Sequence, residues 1–239
     1  MDAAKKKKGF LKPSTRENFC IYWYNFRSNK LSMVGLAIVV ISLIFAIFAP
    51  YVAPFPEHAG AYVDLANAGV APNATFWFGT DVTGRDILSR VIFGFRGALK
   101  MAVVVLAISV PVGTFLGLLA GYYHHTWVDT VIMRIMDGMF AFPFILLSIL
   151  LVTILGSGVF NVILAIGIGN VPRFARVVRS KVMVTKNEEF CNAERILGAS
   201  SLRIMFSHIL PNTVSEVVVY ATLCVGSAII SEASLSFLG

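Results

Sequence analysis

The stretch Gly138–Pro172, GMFAFPFILLSILLVTILGSGVFNVILAIGIGNVP, decides the fold: 35 residues without one charged side chain. A helix needs about 20 apolar residues to cross a hydrocarbon layer of ~30 Å, so this run is too long for a single crossing. It suffices for two short crossings that share a turn, and Gly156-Ser157-Gly158 supplies the turn. Pro143 falls inside the first crossing and predicts a kink there.

Composition agrees along the whole chain. Of 239 residues, 57% are hydrophobic and only 14% charged, against about 25% charged in an average soluble domain. Too few polar side chains remain to coat a water-exposed surface, so the fold class is an all-α integral membrane protein. Leu31–Pro56 is uncharged, and its apolar part, Met33–Ala49, forms span one and ends at Pro50 and Pro54. The long polar arm before it, with no small-residue cleavage site after it, is unlike a cleavable signal peptide. Span two runs from Met101 to about Tyr123, span three from about Asp129 to Leu155, and span four from about Val159 to Arg179, its arginines reaching back to the headgroups. Val217–Ser231 makes span five and sets Glu216 and Glu232 near opposite interfaces. Five spans put the two ends of the chain on opposite sides of the membrane.

Charge orients the bundle. The formal net charge is +7, and positive loops stay cytoplasmic. Lys5–Lys30 holds eight Lys/Arg and Arg173–Arg203 holds seven; with Arg134, an inward N-terminus keeps 16 of 20 inside. Arg85, Arg90, Arg96 and Lys100 remain in an outer loop, residues 51–100. Residues 1–30 are then a cytoplasmic basic arm and residues 31–239 the transmembrane domain. Ser14 and Glu17 have capping-box spacing, and Phe19, Tyr22, Trp23 and Phe26 recur on one helical face, which predicts an interfacial amphipathic helix. No soluble basic face is left for nucleic acid. Cys20, Cys191 and Cys224 lack metal or redox spacing, and no metal site is expected.

Several short motifs invite a chemical reading. Gly79-Thr80-Asp81-Val82-Thr83-Gly84-Arg85-Asp86 has the glycine spacing of a phosphate-binding loop, but Arg85-Asp86 stands where Lys-Ser/Thr would reach phosphate and magnesium. A turn-rich connector is the favoured reading. Gly113, Gly117 and Gly121 form a small-residue stripe for close helix packing, and Pro111 suggests a kink, either static or a gate. Arg134 and Asp137 have the spacing of a surface ion pair. Glu232 faces either a polar pathway or solvent. No array of intramembrane carboxylates or histidines points to a proton relay, and no nucleophile constellation points to catalysis.

Glu188–Asn212, within the cytoplasmic segment 181–212, is the most informative stretch. Asn187 can cap a helix from Glu188 to Gly198, and Ser200 or Ser201 can cap a second short helix limited by Pro211. Phe190, Leu197, Ile204 and Met205 are available as apolar knobs. The segment is either a protrusion that fits a partner's groove or a loop packed on its own bundle.

Asn192-Ala193-Glu194-Arg195-Ile196-Leu197-Gly198-Ala199-Ser200, followed by His208-Ile209-Leu210-Pro211-Asn212, resembles the EAA coupling loop of ABC importer permeases. Gly79-Thr80-Asp81, Gly84-Arg85-Asp86, Leu88-Ser89-Arg90, Ala141-Phe142-Pro143 and Glu232 with Leu235-Ser236-Phe237-Leu238-Gly239 follow in the order of a dipeptide/oligopeptide permease subunit of the DppC/OppC type. The resemblance implies a multi-pass subunit of the bacterial cytoplasmic (inner) membrane that moves di- or oligopeptides inward and is not itself an enzyme. It implies a second homologous permease, two cytoplasmic ATPase subunits that bind ATP and Mg, an extracytoplasmic substrate-binding protein, and no cofactor on this chain. Glu188–Asn212 would dock on the ATPase, and the outer motif would lie where the binding protein docks. Two features depart from the pattern. The family's Glu-Ala-Ala is Asn192-Ala193-Glu194 here, so Glu194 stands in for the leading Glu, and the chain stops at Gly239 where relatives continue to a sixth span, which reads as C-terminal truncation. An importer for nickel or another small solute, and a stand-alone channel or secondary transporter, are the alternatives.

Overall fold

The structure, a computed structural model, describes residues 23–24, 26–156 and 158–238. Ser14, Glu17, Phe19, Cys20, Tyr22 and Ser157 lie outside the described residues; Trp23 and Phe26 have helical backbone, with stacked rings 6.0 Å apart. The chain divides into two compact units, one ending at Arg96 and the other beginning at Gly97. Among the described residues the β-structure is a single isolated bridge, Thr80 with Asp86.

In the first unit, α1 is Lys30–Val52, capped by the Asn29 side chain, which accepts from the Leu31 N–H at 3.0 Å. Val39, Ile41, Ile44 and Ile47 all stand exposed. A helix apolar on every side with so little packed around it has hydrocarbon as its solvent. Helical backbone does not stop at Pro50: a break at Phe48 absorbs the proline, and the helix resumes through Val52. Ala49 and Ala53 pack with Ile92, Phe45, Leu88 and Phe93 to close a small core.

Helix α2 is Ile87–Tyr122, 36 residues and about 54 Å long at 1.5 Å per residue. Residues 51–100 are therefore only partly loop, because span two is the C-terminal portion of a helix that starts well before Met101. The helix runs on through Pro111.

Span three is two helices joined at a sharp bend. Helix α3, Trp127–Phe140, and α4, Phe144–Leu155, are bent by 97° across the intervening break. Pro143 has no N–H to donate and disfavours helical backbone at Phe142, so the chain leaves the helix and Pro143 becomes the N-cap of α4. Helix α5 is Val159–Thr185, α6 is Glu189–Ile196, and α7 is Leu210–Leu238. By length and composition four helices among the described residues qualify as membrane spans, or five with the bent pair counted as one.

The expected stop at Pro211 does not occur. A helical turn, Ser201–Arg203, continues as a π-helix, Ile204–Ile209, directly into α7, and Pro211 sits in the first turn of α7. The Leu210 N–H donates to the Met205 carbonyl five residues back. The wider π turn gives the proline ring the room that an α turn denies it.

Helix α5 is the centre of the second unit, with Ala165, Ile166, Val171, Phe174, Ala175, Val178 and Val182 buried. Gly113, Gly117 and Gly121 of α2 lie against it. A Cβ at Gly113 would strike the Phe174 side chain, one at Gly117 would lie 2.5 Å from the Ala175 carbonyl oxygen, and one at Gly121 would lie 2.7 Å from Val182 Cβ. The backbones approach as closely as they do because three side chains are missing. Below this contact Leu118, Val178, Val182, Cys191, Ile204, Met205 and Ile209 form a continuous core under α6.

Candidate coupling segment and outer-loop site

The outer motif is a closed polar knot. Asp81 Oδ1 accepts from the Thr83 N–H (2.9 Å), the Thr83 hydroxyl (2.7 Å) and the Arg85 N–H (3.0 Å). Its Oδ2 accepts from Arg85 Nε (2.8 Å) and from Arg90 Nη1. Burial pushes the Asp81 carboxyl up, but these bonds from Arg85 and Thr83 outweigh it and hold the group well below the usual carboxylate range. The loop amides that a bound phosphate would use are therefore occupied by the loop's own carboxylate. Thr80 Oγ1 accepts from the Val70 N–H at 2.9 Å and donates to the Asn67 carbonyl. Asp64 is held low by the hydrogen bond from Asn67.

Two glycines make this packing possible. Gly79 and Gly84 have φ of +74° and +81°, and a Cβ at Gly84 would collide with the Asp64 backbone. Asp86, 1% exposed, accepts from the Ser89 N–H at 2.8 Å, and its own N–H donates to His58 Nδ1 at 2.9 Å. His58 is buried, with its ring 4.1 Å from that of Tyr62 and 5.0 Å from that of Phe55. Sequence reasoning missed His58, since nothing about it but a proline-rich neighbourhood distinguishes it locally.

The inner segment is organised differently. Helix α6 begins at Glu189 with Glu188 at the N-cap, and the Asn187 amide instead donates back to the Met183 carbonyl at 2.9 Å, so Asn187 is not the cap. The helix ends in a Schellman closure: the Gly198 N–H donates to the Arg195 carbonyl and the Ala199 N–H to the Glu194 carbonyl, each at 3.0 Å. Gly198 has φ +83°, and a Cβ there would meet nothing. Ser200 Oγ then accepts from the Arg203 N–H at 3.4 Å.

Of the four expected knobs, Ile204 and Met205 are fully buried in the core beneath α6, because the π-helical turn directs them inward. Phe190 and Leu197 do face outward, and Ile196, Leu202 and Phe206 join them; Ile196 and Leu197 are 86% and 80% exposed. Asn192 and Ala193 are exposed, and Asn192 Oδ1 accepts from Arg195 at 3.2 Å. Glu194 lies 3.5 Å from His208 Nε2. The Asn212 amide donates to the His208 carbonyl at 2.7 Å, and Pro211 is exposed. Burial pushes the Cys191 thiol up and keeps it an apolar filler.

Charged groups of α3, α5 and α7 pair in ways that local spacing does not reveal. Asp137 pairs with Arg176 at 2.7 Å, not with Arg134. Asp129, with an 8% exposed side chain, receives Arg179 through Nε (2.6 Å) and Nη2 (2.8 Å) and meets His124 Nδ1 at 2.7 Å. Arg176 and Arg179 thus find carboxylates on α3. Lys181 pairs with Glu216 at 2.6 Å.

These elements define a multi-pass α-helical membrane subunit with exposed apolar side chains around Gly198. Residues 113–239 match the family described as binding-protein-dependent transport system inner membrane component, and residues 21–71 match the N-terminal TM domain of oligopeptide transport permease C. The glutathione transport system permease protein GsiD of Escherichia coli O6:K15:H31 (strain 536 / UPEC) is 46% identical over 218 residues, 91% of this chain and 71% of that protein. The GsiD proteins of Shigella boydii serotype 4 (strain Sb227) and Shigella sonnei (strain Ss046) match with the same identity and coverage. The chain belongs to the family of binding-protein-dependent transport system inner membrane components, as an ABC importer permease subunit.

Proposed function

We propose that this subunit carries di- or oligopeptides, glutathione-like tripeptides included, inward across the membrane, driven by ATP bound with Mg on two cytoplasmic ATPase subunits. A second, homologous permease completes the pathway, and an extracytoplasmic binding protein delivers the cargo. The N-terminus is cytoplasmic, which leaves 16 of the 20 Lys/Arg on the inner side. The observation that carries the reading is the inner tip. Ile196, Leu197 and Leu202 stand in water on a segment whose base is locked into the α2/α5 core by Cys191, Ile204 and Met205. Exposed apolar side chains on a rigid base suit a surface that a partner covers. Motion of that partner reaches the spans only if it binds their conformations with different affinity.

Reconstitution with the partner subunits tests this. ATP-dependent uptake of a labelled tripeptide is the expected result. Gly198→Val forces a β-branched residue into φ +83° at the end of α6 and misdirects the tip. Uptake is expected to fall about tenfold while ATP hydrolysis persists and the chain still inserts; undiminished uptake contradicts the reading.

A further inference from the structure

Helix α5 carries three arginines spaced by three, Arg173, Arg176 and Arg179. Asp137 balances the second and Asp129 the third. Arg173 has no carboxylate partner among the described residues. Its Nη1 donates to Asn170 Oδ1 at 3.2 Å, and its guanidinium lies 4.9 Å from the centre of the Phe144 ring. Asn170 is 1% exposed, and its amide donates to the Ile166 carbonyl at 2.9 Å, so its carbonyl oxygen is held toward the arginine. A guanidinium has five N–H donors, and Asn170 accounts for one.

Arg173 borders a cleft of about 50 Å³ at the break between α3 and α4, with Phe140, Phe142 and Phe144 among its walls. The ring of Phe174, next to Arg173 on α5, lies edge-on to that of Tyr220 of α7 with centres 4.9 Å apart. Tyr220 and Val177, one turn along α5, border an open groove of about 340 Å³. Arg173 is half-buried on α5, and a cation left without a counter-charge beside a span is costly and marks a functional position.

We propose that Arg173 is an anion-binding residue of the transport path, receiving the free carboxylate of the passing cargo through a two-pronged hydrogen bond. This rests on the reading that the cargo is peptide-like. The planar fork matches a carboxylate. Phe144 supports the plane of the guanidinium without neutralising it, and Asn170 fixes one edge while the others stay open.

The test uses the complete importer in vesicles, with binding protein preloaded with either a tripeptide or its C-terminal amide, and uptake normalised to loading. The unaltered importer is expected to move the acid about tenfold faster than the amide, the size of one charged hydrogen-bond pair. Arg173→Gln should erase that preference by slowing the acid alone, and Arg173→Lys should fall between. Equal slowing of acid and amide by Arg173→Gln overturns the proposal and assigns the arginine to the bundle or to a carboxylate of the partner permease. An effect confined to vesicles containing anionic lipid overturns it in favour of a headgroup. Thermal protection of the purified importer by N-acetylglycine, compared with its amide, reads the site without transport. If no peptide is taken up but the acid protects only when Arg173 is present, the cargo reading fails and the site stands. Equal protection of the Arg173→Gln variant removes the site.

Discussion

The outer loop around Asp81 and the inner segment around Gly198 are both short polar connections, and they use their polar groups in opposite ways. Asp81, Thr80 and Asp86 turn inward and satisfy the loop's own amides, so the knot is complete by itself. The inner segment uses its hydrogen bonds to close α6 and leaves Ile196, Leu197 and Leu202 outside. A connection that saturates itself is a fixed platform, whereas exposed apolar side chains suit the partner surface proposed above.

The two left-handed glycines sharpen this contrast most. Gly84→Ala drives a Cβ into the Asp64 backbone as well as straining φ, and a loss of about 3 kcal/mol or more is expected as a lowered melting temperature in detergent. Asp129→Asn should cost a comparable amount, about 3 kcal/mol, by leaving Arg179 without its anion in a largely buried site. The double replacement Asp129→Leu with Arg179→Met should recover much of that loss in the same melt. Asp81→Asn is expected to loosen the outer loop by about 2 kcal/mol through lost charged hydrogen bonds, measured by amide exchange at Thr83 and Arg85.

Acid distinguishes the two regions further. The Asp81 carboxyl has a lower pKa folded than unfolded, so its stabilisation is full above the ordinary carboxylate range near ~4 and is lost as pH falls through and below it. Protection against exchange in the outer loop, corrected for the intrinsic rate, should fall over that interval in the native chain and fall less in Asp81→Asn, where Asp64 keeps its lowered carboxyl. Gly198→Ala, with open space for its Cβ, should cost only about 1 kcal/mol of backbone strain; a loss as large as that of Gly84→Ala would break the comparison. Arg176→Ala removes a pair whose side chains are 50% and 54% exposed, and a change below about 0.5 kcal/mol is expected.

Local rules carried the reading a long way. The uncharged run Gly138–Pro172 does divide into helices on either side of Gly156 and Gly158, both at positive φ. Gly198 is left-handed for the reason any residue closing a helix that way is. Those rules fail where a remote group intervenes. Pro143 was legible as a disruption but not as a 97° bend, and Pro211 read as a stop because a π turn fed by Met205 has no local signature. Asp129 and Arg179 are 50 residues apart, and no spacing rule joins them.

The amino-acid sequence by itself determined which stretches enter the bilayer, because transfer of apolar side chains depends on composition over a single helix length. It also marked the helix ends at Gly156 and Gly198, because glycine acts on its own backbone. Only the tertiary structure decided which arginines of α5 are neutralised, which apolar residues of the inner tip stay exposed, and that three glycines of α2 seat against α5. Those outcomes depend on the distance between atoms remote in the chain, and packing, not sequence spacing, sets that distance.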